Sequence, residues 1–184
     1  MPTVVFLRGV NVGGHKKFQP SVLAKELTDF DMVNVGAAGT FVVRKAVSQT
    51  ALRAELLRRL PFKAELMICS IREVLHLVDI DWTTFDTQIT TVSSDNDMKR
   101  YVSVLGKRPR KLPSLPISQP AGDQWQVKIV AGVGKFALSI WRRQGKRLVY
   151  PNEVVEKNFG LAATTRNWNT IEAILQILRA EQPD

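Results

Sequence analysis

Residues 33–44 read VNVGAAGTFVVR: two β-rich runs, VNV (33–35) and TFVVR (40–44), with GAAG between them. β-Branched and aromatic residues flanking a glycine-containing loop predict a β-hairpin. Upstream, VVFLR (4–8) is a short apolar run closed by glycine, the signature of a buried strand. Between these runs, Pro20 and Ser21 open SVLAKELTDF, which sets Val22, Leu23, Leu27 and Phe30 on one helical face. Downstream, SQTALRAELLRRL (48–60) carries Leu52, Leu56, Leu57 and Leu60 in one stripe, with Ser48 as its cap and Pro61 as its stop. ELMICS (65–70) reads as another strand and IREVLHLV (71–78) as a short helix. The order β-α-β-β-α-β predicts a ferredoxin-like first subdomain over residues 1–80.

The second half, residues 81–184, reads as a further α+β subdomain packed on the first. TQITTV (87–92) alternates like a strand, and DNDMKRYVSVL (95–105) reads as a capped helix. The segment 106–123 is rich in proline and is expected to be mostly loop. QWQVKIV (124–130), KFALSIW (135–141) and KRLVY (146–150) predict a three-stranded meander with turns AGVG and RRQG. PNEVVEKNF (151–159) starts with proline at its first helical turn. The closing NWNTIEAILQILRAE (167–181) keeps Trp168, Ile171, Leu175 and Leu178 on one helical face.

With 45% hydrophobic and 23% charged residues, the composition is that of a packed globular protein. No run of apolar residues is long enough to span a bilayer, and MPTVVFLRGV lacks the features of a secretory signal. Cys69 is the sole cysteine, which excludes an intrachain disulfide and fits the cytoplasm. The expected oligomeric state is monomeric, on no positive signal. The net charge of +9 would attract nucleic acid or phosphorylated ligands. Residues 1–80 and 81–184 share that excess almost evenly, but Lys99, Arg100, Lys107, Arg108, Arg110 and Lys111 lie within thirteen residues.

The segment FLRGVNVGGHKKF (6–18) is a near-miss for a triphosphate-binding loop. Gly9 and Gly14 have the spacing, but His15 stands where the lysine belongs and Lys16 where the magnesium-binding hydroxyl belongs, which excludes an NTPase. AGVGKFA (131–137) matches a dinucleotide pattern only superficially, because its context is strand–turn–strand. His15 and His76 are isolated from any metal-spaced cluster, Cys69 reads as a buried hydrophobe, and no G-x-S-x-G elbow is present. No cofactor or metal is expected.

Two places set cations where a helix N-terminus disfavours them: His15, Lys16 and Lys17 before the first helix, and Arg166 before the last. An anion between such a cation and free backbone N–H groups would relieve that conflict. Thr164, Thr165, Asn167 and Asn169 add donors around Arg166.

LRGVNVGG (7–14) and ATTRNWNT (163–170) resemble the two end signatures of the family called domain of unknown function 1697. The resemblance extends over essentially the whole chain. It implies ferredoxin-like α+β subdomains and no assigned activity. The chain departs from the pattern at Ala37, Ala38, Gly39 and Thr40, where many members carry Q-S-G-N.

The leading expectation is a protein that binds a phosphate-bearing partner, a nucleotide or nucleic acid. Arg8, Asn11, Lys16, Lys17 and Arg166 would contact the anion, Gly13 and Gly14 would let the backbone approach, and Thr165 and Asn167 would add donors. One alternative is an enzyme acting on a small anionic substrate between the subdomains, oriented by Arg166 and Asn11. Another is that both signatures serve packing, with Arg8 and Arg166 paired to carboxylates.

Overall fold

The computed structural model describes residues 1–11, 18–85 and 98–180. The chain divides into two compact units: Met1–Leu75 together with the last helix from Glu172 onward, and His76–Ile171.

In the first unit, strands β1 (Thr3–Arg8), β2 (Met32–Asn34), β3 (Thr40–Val43) and β4 (Glu65–Ser70) form an antiparallel sheet in the order β2-β3-β1-β4. Helices α1 (Pro20–Glu26), α2 (Gln49–Arg59) and α3 (Ile71–Leu75) complete it. The register places Val5 and Leu7 on the face shared with Phe41, Leu66 and Ile68. Those side chains form one core with Leu23 and Leu27 from the α1 region and Leu52 and Leu56 of α2. Val4, Phe6, Val42, Met67 and Cys69 point to the opposite face and are also buried. Burial on both faces explains why β1 reads as an unbroken apolar run rather than an alternation.

The first helix is shorter than its apolar pattern suggests. It gives way after Glu26 to a 3-10 turn over Thr28–Phe30, which Asp31 closes in the left-handed region (φ 46°). Helix α2 begins as expected, with Ser48 Oγ accepting from the Ala51 N–H (3.1 Å). Two residues of the expected stripes, Val22 and Leu57, remain exposed.

The second unit carries a five-stranded antiparallel sheet in the order β6-β7-β8-β5-β9. Its strands are β5 (Met98–Leu105), β6 (Ile117–Gln119), β7 (Val127–Val133), β8 (Phe136–Arg142) and β9 (Ala163–Asn167). Helix α4 (Pro151–Phe159) packs Val154 and Val155 onto one face, against Leu105, Val127, Ile129, Ala137 and Ala163. Helix α5 (Trp168–Ala180) follows β9 directly.

This sheet overturns two expectations. The helix read over 95–105 is strand β5 in its described part: MKRYVSVL is rich in aromatic and β-branched residues, and Val102–Leu105 are buried on both faces. The proline-rich segment is mostly loop, as expected, and adds one three-residue strand, β6, at the sheet edge, where proline-flanked strands are tolerated. TTRN is strand β9, and the last helix starts straight after it at Trp168, so Arg166 does precede a helix N-terminus.

The second correction concerns KRLVY, which does not join the meander. Instead the buried Gln126 side chain donates from Nε2 to the Arg147 carbonyl (2.8 Å) and accepts the Val149 N–H at Oε1 (2.8 Å). Trp141 Nε1–H donates to the Val149 carbonyl (2.8 Å). Two side chains thereby take the place of a strand partner. The strand expected at 87–92 lies outside the described residues.

The turn GAAG shows why one glycine there is obligatory. Gly39 has φ +68°, and a Cβ on it would lie 2.8 Å from Leu7 Cδ1, 2.8 Å from Val10 Cγ2 and 2.9 Å from Leu7 Cβ. Gly39→Ala therefore combines left-handed strain with overpacking against a buried strand. It is expected to destabilise the chain by about 2–3 kcal/mol, read as a lower urea midpoint at unchanged slope. Gly36→Ala, where a Cβ meets open space, should cost only the left-handed penalty of about 1 kcal/mol.

Candidate functional site

The glycine-rich signature begins at the end of β1. Arg8, last in the strand, faces Glu65 across the β1–β4 pair and forms an ion pair with it (Nη1–Oε1 3.0 Å). Three residues on, Asn11 adopts a left-handed conformation (φ 54°), which Asn tolerates better than most residues. Its Nδ2 donates to the carbonyls of Phe18 (3.2 Å) and Ala37 (2.7 Å), and its Oδ1 accepts the Phe18 N–H (3.1 Å). Both amide N–H donors are thus engaged with main chain. Asn11 is a clasp: it ties residue 11 to residue 18 and both to the β2–β3 turn. Gly13, Gly14, Lys16 and Lys17 lie between the two clasped positions and outside the described residues.

The second signature is a strand, and a strand sends alternate side chains to opposite faces. Thr165 and Asn167 therefore share one face of the five-stranded sheet, and Arg166 occupies the other. The structure does not bring Arg166 together with Thr165 and Asn167 around a common point. Thr165 Oγ1 donates to Asn152 Oδ1 (3.0 Å) and lies 2.7 Å from Ser103 Oγ. A hydroxyl has one proton, so Ser103 is the donor in the latter contact. Arg166 is buried and donates from Nη1 to Thr164 Oγ1 (2.8 Å) and to the Thr165 carbonyl (3.0 Å). Burial pushes its guanidinium down to about 10, so it stays cationic at pH 7. Asn167 caps α5, its Oδ1 accepting from the Thr170 N–H (2.9 Å) and Oγ1 (2.8 Å).

The largest charge concentration lies elsewhere. Between Met98 and Tyr150 the chain carries Lys99, Arg100, Lys107, Arg108, Arg110, Lys111, Lys128, Lys135, Arg142, Arg143, Lys146 and Arg147 against one acid, Asp123. A division of the chain at residue 81 conceals this, because the acids that balance these cations lie outside that stretch. Strand β5 also separates what the sequence places side by side. Lys99 and Arg100 sit at its start and Lys107 and Arg108 just past its end, about 25 Å apart at strand rise. Lys107, Arg108, Arg110 and Lys111 are exposed and carry no ion pair among the described residues.

At the start of β5 the basic groups meet aromatic ones. Met98 opposes Arg142, Lys99 opposes Trp141, and Arg100 opposes Ile140, which in turn opposes Lys128. Trp125 is buried beneath two cations, with Lys128 Nζ 4.3 Å and the Arg142 guanidinium 4.0 Å from its ring. Arg142 is also held by main chain, donating from Nε to the Trp125 carbonyl (2.6 Å) and from Nη2 to that of Asp123. Among the described residues no group of three or more His, Cys, Asp or Glu is arranged to hold a metal ion, and no helix is long and apolar enough to cross a membrane.

Two antiparallel sheets with flanking helices, a clasped glycine-rich segment and a basic second sheet define a mixed α+β protein. The chain belongs to the protein family of unknown function DUF1697, whose model matches residues 1–132. That match includes the LRGVNVGG signature and stops short of ATTRNWNT. A similar solved structure is that of the conserved bacterial protein SP0830 from Streptococcus pneumoniae, with 18% identity, 96% of this chain and 98% of that chain covered, and a TM-score of 0.56. The similarity is one of fold. No curated protein matches the sequence.

The clasp gives a direct prediction. Asn11→Ala removes three side-chain hydrogen bonds to main chain, each worth about 0.5–1.5 kcal/mol net, from an exposed site. It should destabilise the chain by about 1–2 kcal/mol in urea unfolding. Asn11→Asp keeps the acceptor but sets a carboxylate oxygen against two carbonyls, and should be no more stable than the alanine variant.

Proposed function

We propose that this protein binds nucleic acid through its second unit. The observation that carries the reading is the twelve-to-one excess of cations over acids between Met98 and Tyr150, on the strands of an antiparallel sheet and the segments that connect them. A phosphate backbone is the natural partner of such a surface, because each neutralised phosphate releases counterions. Lys107, Arg108, Arg110 and Lys111 are exposed and carry no ion pair among the described residues, so no such contact has to break before they meet it. In this reading the first unit is a ferredoxin-like βαββαβ module, an assignment supported by its strand order β2-β3-β1-β4. Gly13, Gly14, Lys16 and Lys17, between the ends that Asn11 ties together, supply a second phosphate contact.

Arg8 and Asn11 take structural roles in this account, since their side chains are engaged with Glu65 and with main chain. The packing alternative is thus favoured for those two residues, without extending to the basic sheet.

Binding to a labelled oligonucleotide should weaken steeply with salt, the logarithm of affinity falling by about 0.7 per contacted phosphate on a single strand. Replacing Lys107, Arg108, Arg110 and Lys111 with glutamine should flatten that slope by up to about three. An absence of measurable binding to DNA or RNA at about 50 mM salt contradicts the proposal.

A further inference from the structure

We infer that the start of β5, on the sheet face that α4 partly covers, is a stacking platform for single-stranded nucleic acid. The inference rests on the nucleic-acid reading above and assigns it a site and a strand state. Register places Lys99 beside Trp141 and Tyr101 beside Asn167 on the face that holds Ser103 and Leu105. Toward Leu105 that face is sealed by Val154 and Val155 of α4. Toward Lys99 it is accessible: Lys99 is exposed, Tyr101 and Trp141 are half-buried, and Tyr150, just before α4, is 53% exposed.

One of the rings is held in place before any ligand arrives. Trp141 is fixed by its Nε1–H bond to Val149 and packs at the margin of the core. Tyr150 precedes Pro151, whose ring sets the chain direction into α4. Burial raises the Tyr101 phenol above its ordinary value, and Tyr150 adds to the rise. Fixed aromatic rings lose little conformational freedom when a base stacks on them.

Charge selects the occupant. Lys99 stands opposite Trp141 and is exposed, and Arg143, Lys146 and Arg147, which follow Trp141 in the chain, are exposed too. Aromatic surface bordered by cations suits a ligand with alternating planar apolar groups and phosphates. Bases in a duplex are already stacked on one another and offer only edges in the grooves, whereas a single strand presents base faces. The platform therefore favours single strands, without reading sequence.

The test measures anisotropy of a labelled oligothymidine or oligouridine and of a hairpin duplex, using the full chain. Tyr150→Ala should weaken single-strand binding about tenfold, at an unchanged salt slope, because stacking releases no counterions. Tyr150→Phe should retain parental affinity, and Lys99→Gln should lower the slope by about 0.7. Tyr101→Leu, which preserves bulk at a half-buried site, should weaken single strands and leave the duplex unaffected. An unchanged melting temperature for Tyr150→Ala separates these effects from unfolding. If single strands bind with salt dependence but neither tyrosine substitution matters, or if Tyr150→Phe fails as badly as Tyr150→Ala, the platform is overturned and the electrostatic reading survives. If the parent binds duplex as tightly as single strand, the platform is likewise overturned. If the parent binds neither, both readings fall.

Discussion

The pairing of β5 between β8 and β9 organises the second unit. With Met98 opposite Arg142 and Tyr101 opposite Asn167, every side chain on three strands has its face assigned. Lys99, Tyr101, Ser103 and Leu105 go to one side, and Arg100, Val102 and Val104 to the other. A one-residue slip would exchange the two sets and drive Lys99 and Arg100 into each other's surroundings. Buried Val102 and Val104 resist such a slip on one face, as does the Ser103–Thr165–Asn152 chain on the other. The same register separates Arg166 from Thr165 and Asn167, and it sets Lys99 beside Trp141. Basic residues adjacent in sequence thereby become two groups at opposite ends of a strand.

The first unit depends on a different constraint, the joining of loop ends by main-chain hydrogen bonds from one side chain. Asn11 reaches the carbonyl of Ala37, so the identity of that side chain is immaterial to the contact. This explains how the turn accommodates alanine at that position. Gly39 has no such latitude, because its backbone lies against Leu7 and Val10 and its carbonyl accepts the Leu7 N–H (2.8 Å). Leu7, Val10, Asn11 and the GAAG turn form one structural device.

Much of the first unit was legible from residues alone. Its strands have clear runs, its second helix has a serine cap, and the hairpin has its glycines. The second unit was harder for identifiable reasons. MKRYVSVL follows three polar residues that mimic a helix cap, and its valines suit either period over so short a span. KRLVY has strand composition, but Gln126 and Trp141 satisfy its main chain, an arrangement no local pattern reveals. The cations were visible in sequence, but their separation by β5 was not. Nor was the position of Tyr101 and Trp141 on one face, since that requires the register. Arg166 does precede the last helix, but the strand it sits in sends its neighbours to the other face, which the sequence did not reveal.

The central claim, that nucleic acid engages the basic sheet of the second unit, is tested most directly by mapping the contact. Amide chemical-shift perturbation in the full chain, titrated with a short single-stranded oligonucleotide, reports it residue by residue. The account predicts perturbations centred on Lys99–Tyr101, Trp141–Arg143 and Tyr150. Perturbations confined to the four-stranded sheet of the first unit, or none at saturating oligonucleotide, would contradict it.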